Sequence, residues 1–257
     1  MLFKNRSCHL HIGELMIGGK PIERIGEGFK EKSFKFLGHH LDENLTWSHH
    51  MGHLHKKLVS ANFALSRSKS FLPRRILKSI YRSLFESHFH FGSIVLGCAK
   101  PRYLHKLEVQ QKKAVRHIFN QRYNSHTAET FKELGYLRVD DLVSLNQSIF
   151  ARNYSNHKLP GSFKNLLSSV PDRGVRRTID DDYNFSLLPL KNADLHHFPV
   201  PKMVSTWNSL PLTIKSVSDL SDFRSDLKAH FLSKYETVFD LINCLSRFGL
   251  IWFWSRF

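Results

Sequence analysis

Apolar residues recur at helical spacing through the middle of the chain. This period predicts a first helix over 48–69, with Ser48 as its N-cap. A second helix is predicted to begin near Pro73, because proline is favoured in the first turn of a helix. It carries three apolar residues at helical spacing, Ile76, Ile80 and Leu84. A fourth helix is predicted over 138–155, so the centre of the chain is expected to be a helical bundle.

The third helix, predicted over 101–121, divides most clearly into two faces. One face, within about 100° of the helical wheel, collects Leu104, Leu107, Gln111, Ala114, Val115 and Ile118. The opposite half collects cations, namely Arg102, Lys106, Lys112, Lys113 and Arg116. We therefore expect this helix to bury one face in the bundle and to present a row of cations with the other.

The chain follows other patterns on either side of these helices. Residues 8–41 alternate loosely in polarity and are predicted to form short strands. Residues 160–202 hold five of the nine prolines and show no strong period, which predicts an irregular connection with room for short strands. A last amphipathic helix is predicted to run to Tyr235, with Ser221 or Asp219 as its cap. The predicted fold class is α+β and mainly α, with a small N-terminal β-hairpin or sheet, a helical bundle and a partly irregular C-terminal segment.

Residues 238–257 are apolar and aromatic, and they end in a stretch that contains Ile251-Trp252-Phe253-Trp254. Their uninterrupted apolar run covers only about ten residues, whereas a membrane span needs roughly 20. We interpret the segment as a terminal extension, with an interfacial or packed helix as the alternative. A membrane is therefore not an expected partner.

The basic residues are concentrated between Asn44 and Arg122. This stretch carries fifteen Lys/Arg and only two acids, Glu86 and Glu108, and so holds thirteen of the sixteen surplus positive charges. The rest of the chain is nearly balanced, with 23 basic and 20 acidic residues. A field concentrated in this way favours an acidic partner, most commonly a nucleic-acid backbone. A solvated basic surface without a partner is the alternative.

The three cysteines, Cys8, Cys98 and Cys244, are far apart and odd in number. They fit neither a disulfide framework nor the ligand spacing of a zinc site, which favours a reducing compartment. The first residues turn polar at once and lack the apolar core of a secretory signal. We expect an intracellular protein, without a prediction between nucleus and cytoplasm.

Six histidines raise the question of a metal site: His39, His40, His49, His50, His53 and His55. His49 and His53 lie four residues apart and would share one face of a helix. No glutamate stands between them as it does in metalloproteases, and no cysteine or second histidine pair is placed to complete a tetrahedral site. We therefore predict no metal site, and interpret these histidines as a polar helix face beside a phosphate backbone.

Polymerases and nucleases hold their metal ions with carboxylates that lie close together, and this chain has adjacent carboxylates at Asp140-Asp141 and Asp180–Asp182. Asp140-Asp141 opens a predicted helix, and Asp180–Asp182 lies in the least periodic stretch, so we interpret them as a helix-start pair and a solvated loop. The sequence contains neither a phosphate-binding glycine loop nor a nucleophile elbow. No catalytic residue and no cofactor is predicted for this chain.

Five segments, in matching order, resemble the region that follows the catalytic palm in the reverse transcriptases of non-LTR (LINE-type, jockey-like) retrotransposons. The first segment, Phe34–Trp47, reads FKFLGHHLDENLTW, and His50 stands where the family commonly has a histidine. The others are 72–97, 107–118, 131–135 and Trp207–Pro211, of which the last reads WNSLP. Leu96 is a departure, because the family often has tryptophan there. The resemblance spans about 34–232, most of the chain.

The resemblance implies the end of a polymerase palm, its thumb and a C-terminal extension. It divides the chain into a palm-end β segment (1–46), a helical thumb-like domain (47–158), a C-terminal extension (159–237) and an apolar tail (238–257) without a counterpart in the family. The family's metal-binding aspartates lie upstream of the matching region. We therefore expect Mg²⁺ to belong to a palm that this sequence lacks, and this chain alone to be inactive as an RNA-directed DNA polymerase.

The resemblance also gives the basic helices a role. In such polymerases the thumb helices hold the template–primer duplex, and the Leu-Gly turn lies against the primer end. The nucleic-acid-binding residues implied here are Leu37, Gly38, Lys56, Lys57, Arg74, Arg75, Lys78, Arg82, Lys106, Lys112, Lys113 and Arg116. The expected partners are RNA or an RNA/DNA template–primer and the missing palm and fingers. Two alternatives stay open: a non-enzymatic basic module that binds nucleic acid, and a degenerate fragment without function.

Overall fold

The computed structural model describes residues 16–22, 25–26, 31–163, 167–169, 183–186 and 199–247. For 168–169 and 236–247 it describes the backbone alone. Most of the described chain is helical, and the strands form three separate two-stranded antiparallel sheets. The expected fold class, α+β and mainly α with a hairpin near the N-terminus, is confirmed.

The helices follow one another with short connections. They are α1 (Ser48–Ser68), α2 (Arg74–Tyr81), a π-helical turn (Arg82–Glu86), α3 (Ser87–His90), α4 (Ser93–Leu96), α5 (Pro101–Ile118), α6 (Ala128–Leu134), α7 (Val139–Ser155), a 3-10 turn (Gly161–Phe163), α8 (Pro199–Asn208), α9 (Leu212–Lys215) and α10 (Leu220–Arg247). The strands are β1 (Met16–Ile17), β2 (Lys20–Pro21), β3 (Ser33–Phe36), β4 (His39–Asp42), β5 (Ser168–Ser169) and β6 (Phe185–Ser186). The pairs are β1–β2, β3–β4 and β5–β6.

Three of the predicted helices are present with nearly the predicted ends. They are α1, α5 and α7, and α5 ends three residues early because Asn120 adopts a left-handed conformation with φ 49°. The cap of α1 differs from the prediction. Trp47, with φ 61°, occupies the N-cap, and Ser48 is the first helical residue.

The second predicted helix is present, but its buried side is not the one marked by Ile76, Ile80 and Leu84. Ile76 and Leu84 are exposed, whereas Ile80 is half-buried and packs against the core. The buried row consists of larger side chains four residues apart: Leu77, Tyr81, Phe85 and Phe89. This row continues from α2 through the π-helical turn into α3, where aromatic rings remove more apolar surface from water than the aliphatic row would.

Helices α1 and α5 form the centre of the core and run side by side in the same direction. Leu58 of α1 and Leu107 of α5 are completely buried. A buried amide contact ties the two helices together, because Asn62 Nδ2 donates to the Gln110 carbonyl oxygen at 2.9 Å. Helix α7 packs on the far side of α5 and also contacts α4, α8 and α10.

Gln111 connects three separate parts of this core. Its amide nitrogen donates to the Tyr81 hydroxyl at 2.9 Å and to the Leu137 carbonyl at 2.8 Å. Its amide oxygen accepts from the Val139 backbone N–H at 3.0 Å, one of the unpaired donors at the start of α7. Gln111 is therefore a buried polar residue with a structural role, on the face that the periodicity assigned to the core.

The C-terminal helix α10 is capped by Asp219, one of the two predicted residues. Asp219 Oδ2 accepts from the backbone N–H of Ser221 at 2.6 Å and of Asp222 at 3.2 Å. The helical backbone passes Tyr235 and continues to Arg247, beyond the predicted end. Residues 248–257, and most of the 160–202 connection, lie outside the described residues.

Helix α8 was not predicted, and its first residues, 199–202, lie in the stretch that was predicted to be irregular. Three shorter helices were not predicted either. Helix α6 spans only seven residues and stops at Gly135, whose φ of 63° favours glycine. Helices α4 and α9 span four residues each. A periodic signal needs several turns before it stands out, so such short helices depend on tertiary packing rather than on a visible pattern.

Candidate nucleic-acid interface

The β3–β4 hairpin presents the Leu37-Gly38 turn at its tip. Phe36 pairs with His39, so two residues connect the strands, and both have positive φ, 44° and 85°. Positive φ at both central positions is typical of a type I′ hairpin turn. A Cβ on Gly38 would lie 2.9 Å from the Phe91 ring, so glycine is also required by the close approach of the tip to Phe91.

Asp42 shapes the entry from this hairpin into α1. Its side chain is buried, and Oδ1 accepts from the backbone N–H of Asn44 at 3.2 Å and of Thr46 at 2.9 Å. The Thr46 hydroxyl donates to Oδ2 at 3.0 Å. Asp42 and Thr46 therefore hold the turn between the hairpin and α1. This structural role explains why an Asp and a Thr stand at these two positions of the Phe34–Trp47 segment.

Histidines of the hairpin and α1 form a cluster beneath the tip. His39 Nδ1 lies 3.3 Å from His50 Nε2, and the His40 and His53 ring centroids lie 4.7 Å apart. Burial, followed by the neighbouring charges of His39, His40, His53 and Lys57, lowers the pKa of His50 to about 4. The His50 ring is therefore neutral at pH 7. Within the described residues no group of three or more potential ligands could hold a metal ion.

Five lysines from three elements form what we call the α1–α5 basic face: Lys35, Lys56, Lys57, Lys106 and Lys113. Each of these lysines lies close to one of two histidines of α1, His53 or His55. Burial and the charge of His40 lower the pKa of His53, and the charges of Lys57, Lys35 and Lys56 lower it further. Lys106 and Lys113 act on His55 in the same way, again after burial. His53 and His55 are two residues apart on α1, so they face different sides of the helix. The α1–α5 basic face therefore has two groups, Lys35, Lys56 and Lys57 around His53, and Lys106 and Lys113 around His55.

Among the described residues, none of the five lysines of the α1–α5 basic face forms an ion pair with an acidic side chain. Four of them are exposed, and Lys113 is half-buried. His55 joins the two helices beneath the surface, since its Nε2 lies 3.2 Å from the Gln110 amide nitrogen. The positive charge of this surface is therefore available to a partner.

Two predicted cations of α5 are engaged by the protein itself. Lys112 Nζ forms an ion pair with Glu108 at 2.7 Å, one helical turn away. Arg116 is half-buried, and its Nε donates to the Ser125 carbonyl at 3.0 Å. The predicted cationic row of α5 is therefore reduced on the basic face to Lys106 and Lys113.

The predicted cations of α2 and the π-helical turn lie around other aromatic rings. Arg74 covers the Phe119 ring at 4.4 Å and lies 3.9 Å from Glu133. Lys78 is 6.0 Å from the same ring. Arg82 lies 5.7 Å from the Tyr136 ring. No described contact joins these side chains to the α1–α5 basic face, and Arg75 is exposed.

Sequence reasoning missed two lysines, Lys35 and Lys69. Lys35 lies outside the basic stretch, on a strand, and only the pairing of Lys35 with His40 brings it toward α1. Lys69 Nζ donates to Asn120 Oδ1 at 3.2 Å. Lys69 lies within the basic stretch but outside the predicted binding residues, and its contact with Asn120, like the placement of Lys35, depends on residues far away in sequence.

The adjacent carboxylates do not form a metal site in the described part of the chain. Asp140 and Asp141 lie in the first turn of α7, and the Tyr235 hydroxyl donates to Asp141 at 2.5 Å. Burial raises the pKa of both carboxyl groups. Asp180–Asp182 lies outside the described residues.

None of the described helices is long and apolar enough to cross a membrane. The chain matches no protein-family model, no curated protein and no solved structure. The functional interpretation therefore rests on the geometry of the α1–α5 basic face and on the five segments that carry the resemblance.

Proposed function

We propose that this chain binds the phosphates of a nucleic-acid duplex through the α1–α5 basic face, in the manner of the thumb of a non-LTR reverse transcriptase. The observation that carries the proposal is the presence of two lysine groups around α1, together five lysines from three elements, none of which is ion-paired among the described residues. Lysine contacts to phosphates position a duplex without reading its sequence. The proposed duplex is an RNA or RNA/DNA template–primer.

The spacing along α5 supports contacts to one strand. Lys106 and Lys113 are seven residues apart, two turns of the same side of the helix, which corresponds to about 10 Å along its axis. Each nucleotide of a duplex strand carries one phosphate, and the rise per nucleotide along the axis is only a few ångströms. The two ammonium groups can therefore bind different phosphates of the same strand.

The position of the hairpin supports the polymerase form of the proposal. Leu37 is 77% exposed at the tip, and Lys35 on the same hairpin belongs to the α1–α5 basic face. The resemblance implies that this Leu-Gly turn lies against the primer end. The tip and the lysines would then contact the same duplex, the tip at its end and the lysines along its backbone.

The binding test is a charge reversal on α5, Lys106→Glu together with Lys113→Glu. Affinity for an RNA/DNA hybrid is measured by fluorescence anisotropy over a series of salt concentrations. We expect the slope of log K against log salt to fall by about 2, one for each lost phosphate contact, and the affinity at low salt to fall by at least about tenfold.

The matched control is Lys158→Glu with Arg224→Glu, two exposed cations outside the α1–α5 basic face. It changes the net charge of the protein by the same amount. We expect it to leave the salt slope within experimental error of the parent. Equal effects of the two double variants would overturn the proposed face, because they would report general charge rather than local contacts.

We also propose that this chain alone does not polymerise deoxynucleotides. This is supported by the Asp140 and Asp141 side chains, which lie at a helix start rather than in a hairpin between strands. Purified protein is mixed with a primed RNA template, Mg²⁺ and deoxynucleotides, and primer extension is followed on a gel. We expect binding without extension, and incorporation of nucleotides by the chain alone would refute this part of the proposal.

A further inference from the structure

The connection between α5 and α6, residues 119–127, presents an isolated aromatic ring to solvent. Tyr123 is 78% exposed, although it is a large side chain that proteins commonly pack. Its neighbours Arg122, Asn124 and His126 are polar and exposed as well. The ring therefore stands outside the core and outside any described apolar patch.

The connection is nevertheless held in place at several points. Arg116 Nε donates to the Ser125 carbonyl at 3.0 Å, and the Ser125 N–H donates to the Arg122 carbonyl at 3.1 Å. The Gln121 amide nitrogen donates to Thr130 Oγ1 at 2.9 Å, which ties the loop to α6. A ring on a loop that is fixed in this way loses little conformational entropy when a ligand binds.

The surroundings of the ring are positively charged. Lys113 Nζ lies 6.0 Å from the Tyr123 ring centroid. Lys69, at the end of α1, also lies near this end of α5, because its Nζ donates to Asn120. No acidic residue occurs along the sequence from Val109 to Ala128, and Glu133, which the fold brings toward Phe119, lies 3.9 Å from Arg74. An anionic ligand is therefore attracted to this end of α5.

We infer that Tyr123 is a stacking platform for an unpaired base of single-stranded RNA or DNA, with Lys113 and Lys69 beside the adjoining phosphates. A base offers a flat π face to a lone ring, and successive phosphates match the cations beside it. An apolar peptide anchor would instead need a pocket, and the neighbours of Tyr123 are polar. Bases inside a duplex are already stacked, so the ligand is a single strand.

This inference rests on the proposed function, because Lys113 belongs to the α1–α5 basic face as well. The arrangement suits a strand that leaves the duplex: the duplex lies along α1 and α5, and its unpaired extension passes the end of α5. The template beyond the primer end, or an unpaired end of either strand, has this form.

The experiment uses the full chain and two probes, a blunt RNA/DNA hybrid and the same hybrid with a five-nucleotide single-stranded extension that contains 2-aminopurine. We expect the extension to raise the affinity and its fluorescence to be quenched on binding. Tyr123→Ala is expected to weaken binding of the extended probe by about 5- to 150-fold and to abolish the quenching. Binding of the blunt hybrid is expected to be unchanged, and Tyr123→Trp is expected to retain stacking.

The outcomes separate this inference from the proposed function. Tight binding of the blunt hybrid, with no gain from the extension and no effect of Tyr123→Ala, would overturn the stacking site and leave the duplex face intact. Binding of a free single strand that depends on Tyr123, without binding of the blunt hybrid, would support the stacking site and refute the proposed duplex binding. If poly-glutamate competed for the protein as strongly as single-stranded nucleic acid does, the stacking site would be overturned in favour of a site for an acidic polypeptide.

Discussion

Replacing Gln111 by methionine tests whether the core depends on this one buried amide. Methionine has nearly the same length as glutamine, so the change removes hydrogen bonds without creating a large cavity. The parent side chain makes three hydrogen bonds, to the Tyr81 hydroxyl, the Leu137 carbonyl and the Val139 N–H. Gln111 itself is only 1% exposed, so water cannot take over these bonds.

The magnitude follows from the groups that are left behind. Tyr81 and Val139 are completely buried, and Leu137 is 5% exposed. Each buried polar group that loses its partner costs about 1–3 kcal/mol, and the added apolar surface of methionine offsets part of the sum. We therefore expect Gln111→Met to lower the free energy of unfolding by about 3–5 kcal/mol.

The assay is urea unfolding followed by far-UV circular dichroism and by tryptophan fluorescence, with equal slopes required for a direct comparison. Tyr81→Phe is the control, because it removes the hydroxyl while Gln111 keeps its bonds to Leu137 and Val139. We expect it to cost about 0.5–1.5 kcal/mol. In the double variant the orphaned hydroxyl is absent, so its cost should be about 1 kcal/mol below the sum of the single costs.

A Gln111→Met protein within about 0.5 kcal/mol of the parent would refute the reasoning. It would mean that the three groups find other partners or that this part of the core is open to water. Additive single costs would contradict the direct bond between Gln111 and Tyr81. Either result would remove the structural account of this glutamine.

Three further predictions concern the hairpin and the C-terminal packing. The pKa of His50 is lowered to about 4 in the folded state, so its stabilising contribution is complete above pH ~6.5 and is lost as the pH falls toward 4. We expect a loss of about 1–2 kcal/mol over this range that shrinks in His50→Gln, measured by urea unfolding at each pH. Asp42→Ala should cost about 1–2 kcal/mol and Asp42→Asn less, because the amide oxygen can still accept the two turn N–H groups; equal costs in thermal unfolding would argue against the turn. Arg152 is buried, donates to the carbonyls of Val217 and Ser218 and covers the Phe223 ring. Arg152→Ala should lower stability by about 2–4 kcal/mol, and a smaller loss than in Arg152→Lys would contradict these contacts.

Hydrophobic periodicity was sufficient to predict the long helices. The face of α5 assigned to the core, including Leu107 and Ala114, is the buried one. The same reasoning predicted the wrong buried side for the second helix. It assigned Ile76 and Leu84 to the core, whereas the side that carries Tyr81 and Phe85 is buried. The buried row keeps a spacing of four residues from Leu77 through the π-helical turn to Phe89, and on a regular 100° wheel such a row would drift around the helix.

The candidate site could be predicted only in part. The concentration of lysine and arginine between Asn44 and Arg122 is visible in the sequence, and so is the spacing of Glu108 and Lys112, which are four residues apart. That spacing could have removed Lys112 from the predicted binding residues. The hydrogen bond from Arg116 to the Ser125 carbonyl could not be predicted, because it depends on the conformation of the loop after α5. The position of Lys35 beside α1 could not be predicted either, because it depends on the pairing of β3 with β4.

The sequence by itself determined the mainly helical fold, the approximate extents of α1, α5 and α7 and the presence of a strongly basic middle, because these depend on neighbours within one or two turns. The tertiary structure decided which cations share a surface. His55 lies near Lys106, and Gln111 bonds to Val139, only because α1, α5 and α7 pack together. Local spacing reports which side of a helix is buried, whereas the partner across that side depends on how distant segments pack.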